Sequence, residues 1–147
     1  MTEETLHGIL NSGKLYKDND ERKYIGNNID YIKYTTSGET TYDEYLVIPN
    51  ESIIVLMGDE FQIFTIPEFR GRGNAKKLVD KYRYFMEDKC GEKDDSGYIP
   101  YVSCTTTNNT MIRILKSLGW KYTGTRYTKP HGGTSGTTDK KWRYFYE

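Results

Sequence analysis

Apolar and polar positions alternate along the first half of the chain in short runs that are separated by Gly, Pro, Asn and Ser. Runs rich in β-branched and aromatic residues with such breaks are typical of antiparallel strands joined by tight turns. The pattern predicts strands at residues 29–34, 42–48, 52–57 and 60–66. Before them, residues 1–28 are polar, and Leu6, Ile9 and Leu10 fit one helical face. We therefore predict a short N-terminal helical region.

Two stretches in the second half have the 3.6-residue spacing of amphipathic helices. The apolar stripe of the first, which follows Gly73, consists of Ala75, Leu78, Val79, Tyr82 and Met86. That of the second consists of Met111, Ile112, Leu115 and Leu118, with cap residues before it and Gly119 after it. Further strands are predicted at residues 98–105, 120–127 and 141–146.

This order of elements predicts an α+β layered domain, because helices and strands are not regularly alternated. We expect a mixed, mostly antiparallel sheet of about six or seven strands with helices on both faces. The strands at residues 60–66 and 98–105 flank a helix, so we expect a right-handed crossover with the two strands parallel. A single domain is predicted over residues 1–147, in which residues 128–147 form a loop and the final strand.

Composition limits the possible partners. The 147 residues include 21 Lys and Arg and 21 Asp and Glu, so the formal net charge is zero and no global field attracts nucleic acid or membrane. The polar N-terminus has no signal-peptide pattern, and no apolar run is long enough for a membrane span. The spacing of Cys90 and Cys104 does not suit a metal site. We expect a cytoplasmic protein without a metal, a nucleic-acid partner or a membrane partner.

The strongest candidate for chemistry is the segment 66–75, where a strand passes through Pro67 and two glycines directly into a helix. Such a turn directs backbone N–H groups into one space at the positive end of the helix dipole, which favours an anion. A Walker A loop requires Gly-Lys-Ser or Gly-Lys-Thr, which is missing. The dinucleotide fingerprint requires a small residue where Lys76 stands, so it does not fit either.

A third pattern does fit. The run Arg70-Gly71-Arg72-Gly73-Asn74-Ala75 resembles the Gln/Arg-x-x-Gly-x-Gly/Ala signature of the Gcn5-related N-acetyltransferase (GNAT) superfamily. Residues 108–120, from Asn108 to Gly119-Trp120, resemble the asparagine-to-glycine-aromatic segment of that family. The resemblance covers about residues 45–127 and both motifs stand in the family's order.

The resemblance implies that the loop amides hold the pyrophosphate of acetyl-CoA and that backbone groups at the end of the preceding strand pair with the pantetheine arm. The implied cofactor-binding residues are Phe64, Thr65, Arg70, Gly71, Arg72, Gly73, Asn74, Ala75 and Asn108. Arg70, Lys76 and Lys77 fit two interpretations, an added positive charge near the phosphates or an ordinary solvated helix face.

The implied reaction is direct attack of a primary amine on acetyl-CoA, which requires a route for the amine proton and an acid for the thiolate. Asp59 and Glu60 are candidate bases, and Tyr101 and Tyr122 are candidate proton donors. The sequence departs from the family at Leu115, where the family often has a tyrosine acid. Another tyrosine, solvent, or binding without turnover would account for this departure.

Two functions therefore stay open. The first is an N-acetyltransferase, monomeric or homodimeric, that acts on an amine of a small molecule or of a protein or peptide. The second is a catalytically silent module of the same fold that binds acyl-CoA or a protein partner.

Overall fold

The computed structural model describes Gly8 and residues 20–35, 41–89, 96–128 and 137–146. Within them, the strands are β1 Glu21–Tyr24, β2 Asp30–Thr35, β3 Tyr42–Ile48, β4 Ser52–Met57, β5 Glu60–Thr65, β6 Tyr101–Thr106, β7 Lys121–Thr128 and β8 Thr137–Phe145. The helices are α1 Asn74–Glu87 and α2 Asn109–Ser117, and a 3-10 turn spans Pro67–Phe69. The chain divides into two compact units, Met1–Tyr82 and Arg83–Glu147, which are described separately.

The first unit contains a five-stranded antiparallel sheet in the order β1-β2-β3-β4-β5, in which each strand pairs with its neighbour in sequence. Its turns follow the local chemistry of the chain. Pro49 presets the first corner of the β3–β4 turn, and Asn50 adopts a positive φ of 64° at the second. Gly58 has a φ of 65° in the β4–β5 turn. These turns keep each connection short.

The sheet of the first unit has apolar residues on both faces. On one face, Ile32, Tyr45, Val47 and Ile53 form a buried cluster. On the other, Phe61 packs against Tyr82 of α1, with ring centroids 4.7 Å apart. Both faces of the central strands are therefore covered, which explains the near-continuous apolar runs of β3 and β4.

The second unit contains a three-stranded antiparallel sheet in the order β6-β8-β7. The C-terminal part of α1 is attached to this sheet through Arg83. Its guanidinium donates to the Tyr144 hydroxyl at 2.7 Å, and its carbonyl accepts a hydrogen bond from Tyr146 Oη. Tyr144 also packs against Trp120, which follows α2.

Both ends of α2 are closed in the way that the sequence predicts. The Asn108 side chain accepts a hydrogen bond from the Met111 amide at 3.0 Å, which caps the N-terminus. At the C-terminus, Gly119 has a φ of 89°, and the Trp120 amide donates to the Leu115 carbonyl at 3.0 Å. The Gly119 amide donates to Lys116, which completes a Schellman motif.

The predicted α+β class is confirmed, and the eight strands of the described residues are close to the expected number. The sheet arrangement differs from the prediction of a mixed sheet. The ladders of the described residues are all antiparallel, and β5 and β6 belong to different sheets. Strand β6 pairs with β8, a strand from the end of the chain, and forms no ladder with β5.

The N-terminal prediction is wrong for residues 21–24, which form β1 and not part of a helical region. This strand has no apolar alternation, and its pairing with β2 is supported by a salt bridge of 2.7 Å between Arg22 and Asp30. Residues 1–7 and 9–19 lie outside the described part of the chain, as do residues 129–136 of the predicted loop. Strand β8 begins at Thr137, earlier than the sequence predicts. The single domain stays a prediction.

The Schellman motif provides a test of the fold. Gly119→Ala is expected to lower the free energy of unfolding by about 1–2 kcal/mol, because an L-residue is strained at this positive φ. The added Cβ would meet Tyr144 only at an ordinary contact distance of 3.8 Å, so the cost is conformational. Urea denaturation measures it. Gly119→Asn is the matched control and should lose less, since Asn tolerates this conformation. An alanine variant as stable as the wild type would contradict this interpretation.

Candidate functional site

The segment between β5 and α1 reverses the chain through a compact turn. After Thr65, residues Pro67–Phe69 form the 3-10 turn. Gly71 and Gly73 then adopt φ values of 79° and 81°, which side chains with a Cβ rarely adopt. No heavy atom lies within 4 Å of a Cβ added at either glycine, so backbone conformation and not crowding requires glycine here. We call residues 70–75 the anion loop.

The first turn of α1 leaves backbone donors without intrahelical acceptors. Its first backbone bond runs from the Lys77 amide to the Gly73 carbonyl at 3.1 Å. By helix geometry, the amides of Asn74, Ala75 and Lys76 therefore point out of the helix end. The first turn contains no acidic side chain that would neutralise the helix dipole. The exposed backbone of the anion loop is thus electropositive and suited to a phosphate group.

The basic side chains of the loop have different surroundings. Arg70 Nε donates to the Thr65 carbonyl at 3.1 Å, which ties the loop back to the end of β5. The Arg72 guanidinium lies over the Phe69 ring, 5.0 Å from its centroid. Lys76 and Lys77 are exposed on the first turn of α1. Arg70 and Arg72 therefore have contacts within the loop segment, and the two lysines add exposed charges on the first turn of α1.

Asn74, the first residue of α1, is fixed by a side-chain contact with the β3–β4 turn. Its side chain is buried, and its Nδ2 donates to Glu51 Oε1 at 3.2 Å. The sequence predicts only a tight turn at residues 49–51, between two strands, and gives no indication of this contact. The only signal available was the turn pattern Pro-Asn-Glu, which says nothing about a partner 23 residues away.

The register of β5 decides which backbone groups face outward. Thr65 lies opposite Ser52 on β4, and the Ile66 amide donates to the Glu51 carbonyl at 2.9 Å. Because hydrogen-bonded and non-hydrogen-bonded pairs alternate in an antiparallel ladder, Phe64 directs its backbone groups toward β4. Thr65 and Ile63 direct theirs away from it.

Strand β5 is the last strand of its described sheet, so its outward groups lie at a sheet edge. This edge leads directly into the anion loop. Of the two residues predicted to pair with a pantetheine arm, Thr65 is therefore favoured by its orientation. Ile63 is the next residue with outward backbone groups, and it was not among the residues predicted from the sequence.

The candidate bases stand at the opposite end of β5. Asp59 is exposed in the β4–β5 turn and Glu60 is half-buried as the first residue of the strand. A strand of six residues spans roughly 17 Å between its first and last Cα atoms. The two carboxylates and the anion loop therefore mark the two ends of one edge strand.

Asn108 stands in the second unit, where its position is set by its role as a helix cap. Its Oδ1 accepts from Met111, and its amide donates to Thr106 Oγ1 at 3.0 Å. Within the described residues, the Nδ2 group has no hydrogen-bond acceptor. The Nδ2 group of Asn108 could therefore donate a hydrogen bond to a ligand.

The two candidate proton donors point to opposite faces of the three-stranded sheet. Tyr101 lies opposite Phe145, and Tyr122 lies opposite Trp142, three residues earlier on β8. Residues in direct register share a face and successive residues alternate, so the two phenols cannot act on the same face. Tyr101 is covered by the Arg143 guanidinium at 4.5 Å, whereas Tyr122 is half-exposed.

Leu115 is fully buried in α2. Its carbonyl accepts the Schellman bond from Trp120. At this position the resemblance leads one to expect a tyrosine acid, and the structure has an apolar side chain without contact to solvent. The helix therefore contributes packing here and no proton donor.

Two other tyrosines have perturbed acidity. Burial raises the pKa of Tyr31 far above its ordinary value, and the 2.5 Å hydrogen bond to the Glu44 carboxylate raises it further. Burial also raises the pKa of Tyr45, with the charge of Asp43 as the second cause. Both phenols stay protonated throughout the physiological range and do not act as bases.

Among the described residues, no three His, Cys, Asp or Glu side chains lie close enough to hold a metal ion together. In the same part of the chain, neither helix has the length and apolar character needed to cross a bilayer.

Comparison with known proteins adds distant similarities. No protein-family profile and no curated protein matches the sequence. Among solved structures, the ribosomal-protein-S18-alanine N-acetyltransferase from Escherichia coli is 14% identical over 82% of this chain and 71% of that chain, with a TM-score of 0.45. A GNAT-family acetyltransferase from Bacillus anthracis is 16% identical over 75% of this chain and 68% of that one, with a TM-score of 0.47.

The spermidine N-acetyltransferase from Vibrio cholerae, solved with CoA and spermine, is 14% identical over 81% of this chain and 66% of that chain, with a TM-score of 0.44. All three of these proteins are acetyltransferases. Similarities this distant do not establish a function. The function has to be inferred from the residues of the site.

The anion loop can be tested with inorganic pyrophosphate as a probe. Millimolar pyrophosphate should raise the thermal midpoint of the wild type, because a ligand of the folded state stabilises it. Gly73→Ala should strain the loop, lower stability by about 1–2 kcal/mol and abolish the response to pyrophosphate. Differential scanning fluorimetry measures both effects.

Gly58→Ala is the matched control. Gly58 also has a positive φ and open space around its Cβ position, but it lies in the β4–β5 turn. This variant should be destabilised to a similar extent and keep the full response. Equal responses of the two variants would contradict the assignment of the loop as the anion site.

Proposed function

We propose that this protein is a Gcn5-related N-acetyltransferase that transfers an acetyl group from acetyl-CoA to a primary amine. The observation that carries the proposal is the anion loop, where outward-facing amides, two glycines at positive φ and a first helical turn without an acidic residue of its own stand together. The motif of residues 70–75 and that of residues 108–120 associate this geometry with coenzyme A. The pyrophosphate would accept hydrogen bonds from the amides of Arg72 to Ala75.

The edge of β5 supports an extended position for the rest of the cofactor. An extended arm that carries amide groups can pair with a strand edge by main-chain hydrogen bonds. With the pyrophosphate in the anion loop, the arm would run from Thr65 past Ile63 toward the start of β5. The thioester would then approach Glu60 and Asp59, which is the end where an amine needs a base.

The chemistry requires few protein groups. The amine nitrogen forms a bond to the thioester carbonyl carbon, the C–S bond breaks, and the thiolate takes up a proton. The nitrogen loses one proton, for which Glu60 or Asp59 is the proposed acceptor. Positioning of the two substrates and polarisation of the carbonyl by backbone donors supply the rest.

The proton for the thiolate does not come from position 115 of α2, where the resemblance leads one to expect a tyrosine, because Leu115 is buried and apolar. Tyr101 and Tyr122 lie on opposite faces of their sheet, so at most one of them serves this role; otherwise solvent protonates the sulfur. The same observation favours the second candidate function, a silent module that binds acyl-CoA without turnover. The cytoplasmic location and the monomeric or dimeric state stay predictions from the sequence.

Turnover is tested by mixing the protein with acetyl-CoA and a panel of amines that includes polyamines, amino acids and peptides. We expect thiol release that depends on an amine, with an acetylated product in mass spectrometry. Calorimetry with CoA alone separates the outcomes. Binding without thiol release would favour the silent module, and failure to bind CoA would contradict both functions.

The strand edge is tested at Thr65. Thr65→Pro removes an amide donor that faces away from β4, so the ladder with β4 keeps its hydrogen bonds. Loss of one hydrogen bond of about 0.5–1.5 kcal/mol should weaken CoA binding by a factor of roughly 2 to 10.

Thr65→Val is the control, because it removes only the hydroxyl that contacts Ser52 and keeps the backbone donor. It should bind CoA with nearly the affinity of the wild type. The proposal for the edge fails if the proline variant is folded and binds CoA as tightly as the valine variant.

A further inference from the structure

Glu51 contacts both ends of the segment that contains the anion loop. At the entry, its carbonyl accepts a hydrogen bond from the Ile66 amide at 2.9 Å. At the exit, its carboxylate oxygen Oε1 accepts from Asn74 Nδ2 at 3.2 Å. One residue of the β3–β4 turn therefore joins the end of β5 to the beginning of α1.

Glu51 is itself held in place by the turn. Its amide donates to the Ile48 carbonyl at 3.0 Å, which closes the turn around Pro49 and Asn50. The next residue, Ser52, is fully buried and donates its hydroxyl to Thr65. Glu51 thus stands on a fixed support, and its side chain is directed to the loop by local structure.

The contact between Glu51 and Asn74 is important because the Asn74 side chain is buried. Asn74 has an exposed fraction of only 7%, so its side-chain amide has little access to water. A buried amide without an acceptor is strongly disfavoured. Removing the Glu51 carboxylate would therefore force Asn74, and with it the first turn of α1, to move.

We infer that Glu51 is a positioning residue that fixes the anion loop at both ends and so sets its affinity for the coenzyme A pyrophosphate. This inference rests on the proposed function and extends it to a residue that contacts neither the cofactor nor the acceptor. The segment between the two contacts contains two glycines, which allow many backbone conformations. Fixing its ends keeps the outward amides of the loop converged before the ligand arrives.

The charge of Glu51 makes the inference sharply testable. A carboxylate near an anion site repels the ligand, so a purely electrostatic role predicts that its removal strengthens binding. A positioning role predicts the opposite for removal of the side chain. Glu51→Gln separates the two roles, because its amide oxygen can still accept from Asn74 although the charge is gone.

The experiment measures CoA dissociation constants by calorimetry for the wild type, Glu51→Ala and Glu51→Gln. Glu51→Ala should weaken binding about tenfold, or about 1.4 kcal/mol. Glu51→Gln should bind at least as tightly as the wild type. Glu68→Ala is the matched control; it removes an exposed carboxylate from the 3-10 turn before the loop and should not weaken binding. Binding by Glu51→Ala that equals or exceeds that of the wild type overturns the inference.

A ligand-free measurement separates this inference from the proposed function. Amide exchange of Lys77, whose bond to Gly73 closes the first turn of α1, is followed by NMR. Exchange should be faster in Glu51→Ala and unchanged in Glu51→Gln and Glu68→Ala. Unchanged exchange in folded Glu51→Ala would overturn the role of Glu51 even if CoA binds. If the wild type fails to bind CoA but exchange responds as expected, the proposed function fails and the structural role of Glu51 stands.

If Glu51→Ala does not fold, Asn74→Ala tests the same hydrogen bond from the other side. This variant keeps the backbone bond between Glu51 and Ile66 and the donors of the loop backbone. It should weaken CoA binding and speed the exchange of Lys77. Wild-type values of both quantities would contradict the inference.

Discussion

The first unit depends on one constraint at the passage from β5 into α1. The first amides of α1 have no hydrogen-bond acceptor within the helix. An α-helix cannot satisfy these donors itself, so the protein must cap them, hydrate them or offer them to a ligand. Here α1 has no acidic side chain in its first turn. Two glycines keep the approach open. The unsatisfied donors therefore favour a bound anion, and the proposed function depends on which anion binds there.

The same constraint explains the elements around the loop. Arg70 returns to the Thr65 carbonyl, and Asn74 is fixed to Glu51, so the residues that flank the glycines are held by side-chain contacts. Beyond the loop, Phe61 packs on Tyr82 and keeps α1 against the sheet. The segment between these contacts is short and its neighbours are packed, which is the arrangement that a preorganised binding site requires.

Local patterns were enough to predict most elements of the fold. The turns at Asn50 and Gly58 and the cap at Gly119 each follow from the conformational preference of one residue. Strand β1 could not be predicted in this way, because the polar run at residues 21–24 becomes a strand only through its pairing with β2. The separation of β5 and β6 into two sheets, and the pairing of β6 with the distant strand β8, are long-range features that no local pattern reveals.

The sequence predicted the backbone turn of the candidate site. It did not predict the features that depend on the register between strands. The glycine motif predicted the turn from β5 into α1, but the outward direction of Ile63 and Thr65 follows from the phase of the β4–β5 ladder. The central claim is that this backbone binds coenzyme A. It is tested most directly by amide chemical shifts during a CoA titration. We predict the largest changes at residues 71–76, with further changes at the edge of β5. Changes confined to other parts of the chain would contradict the account.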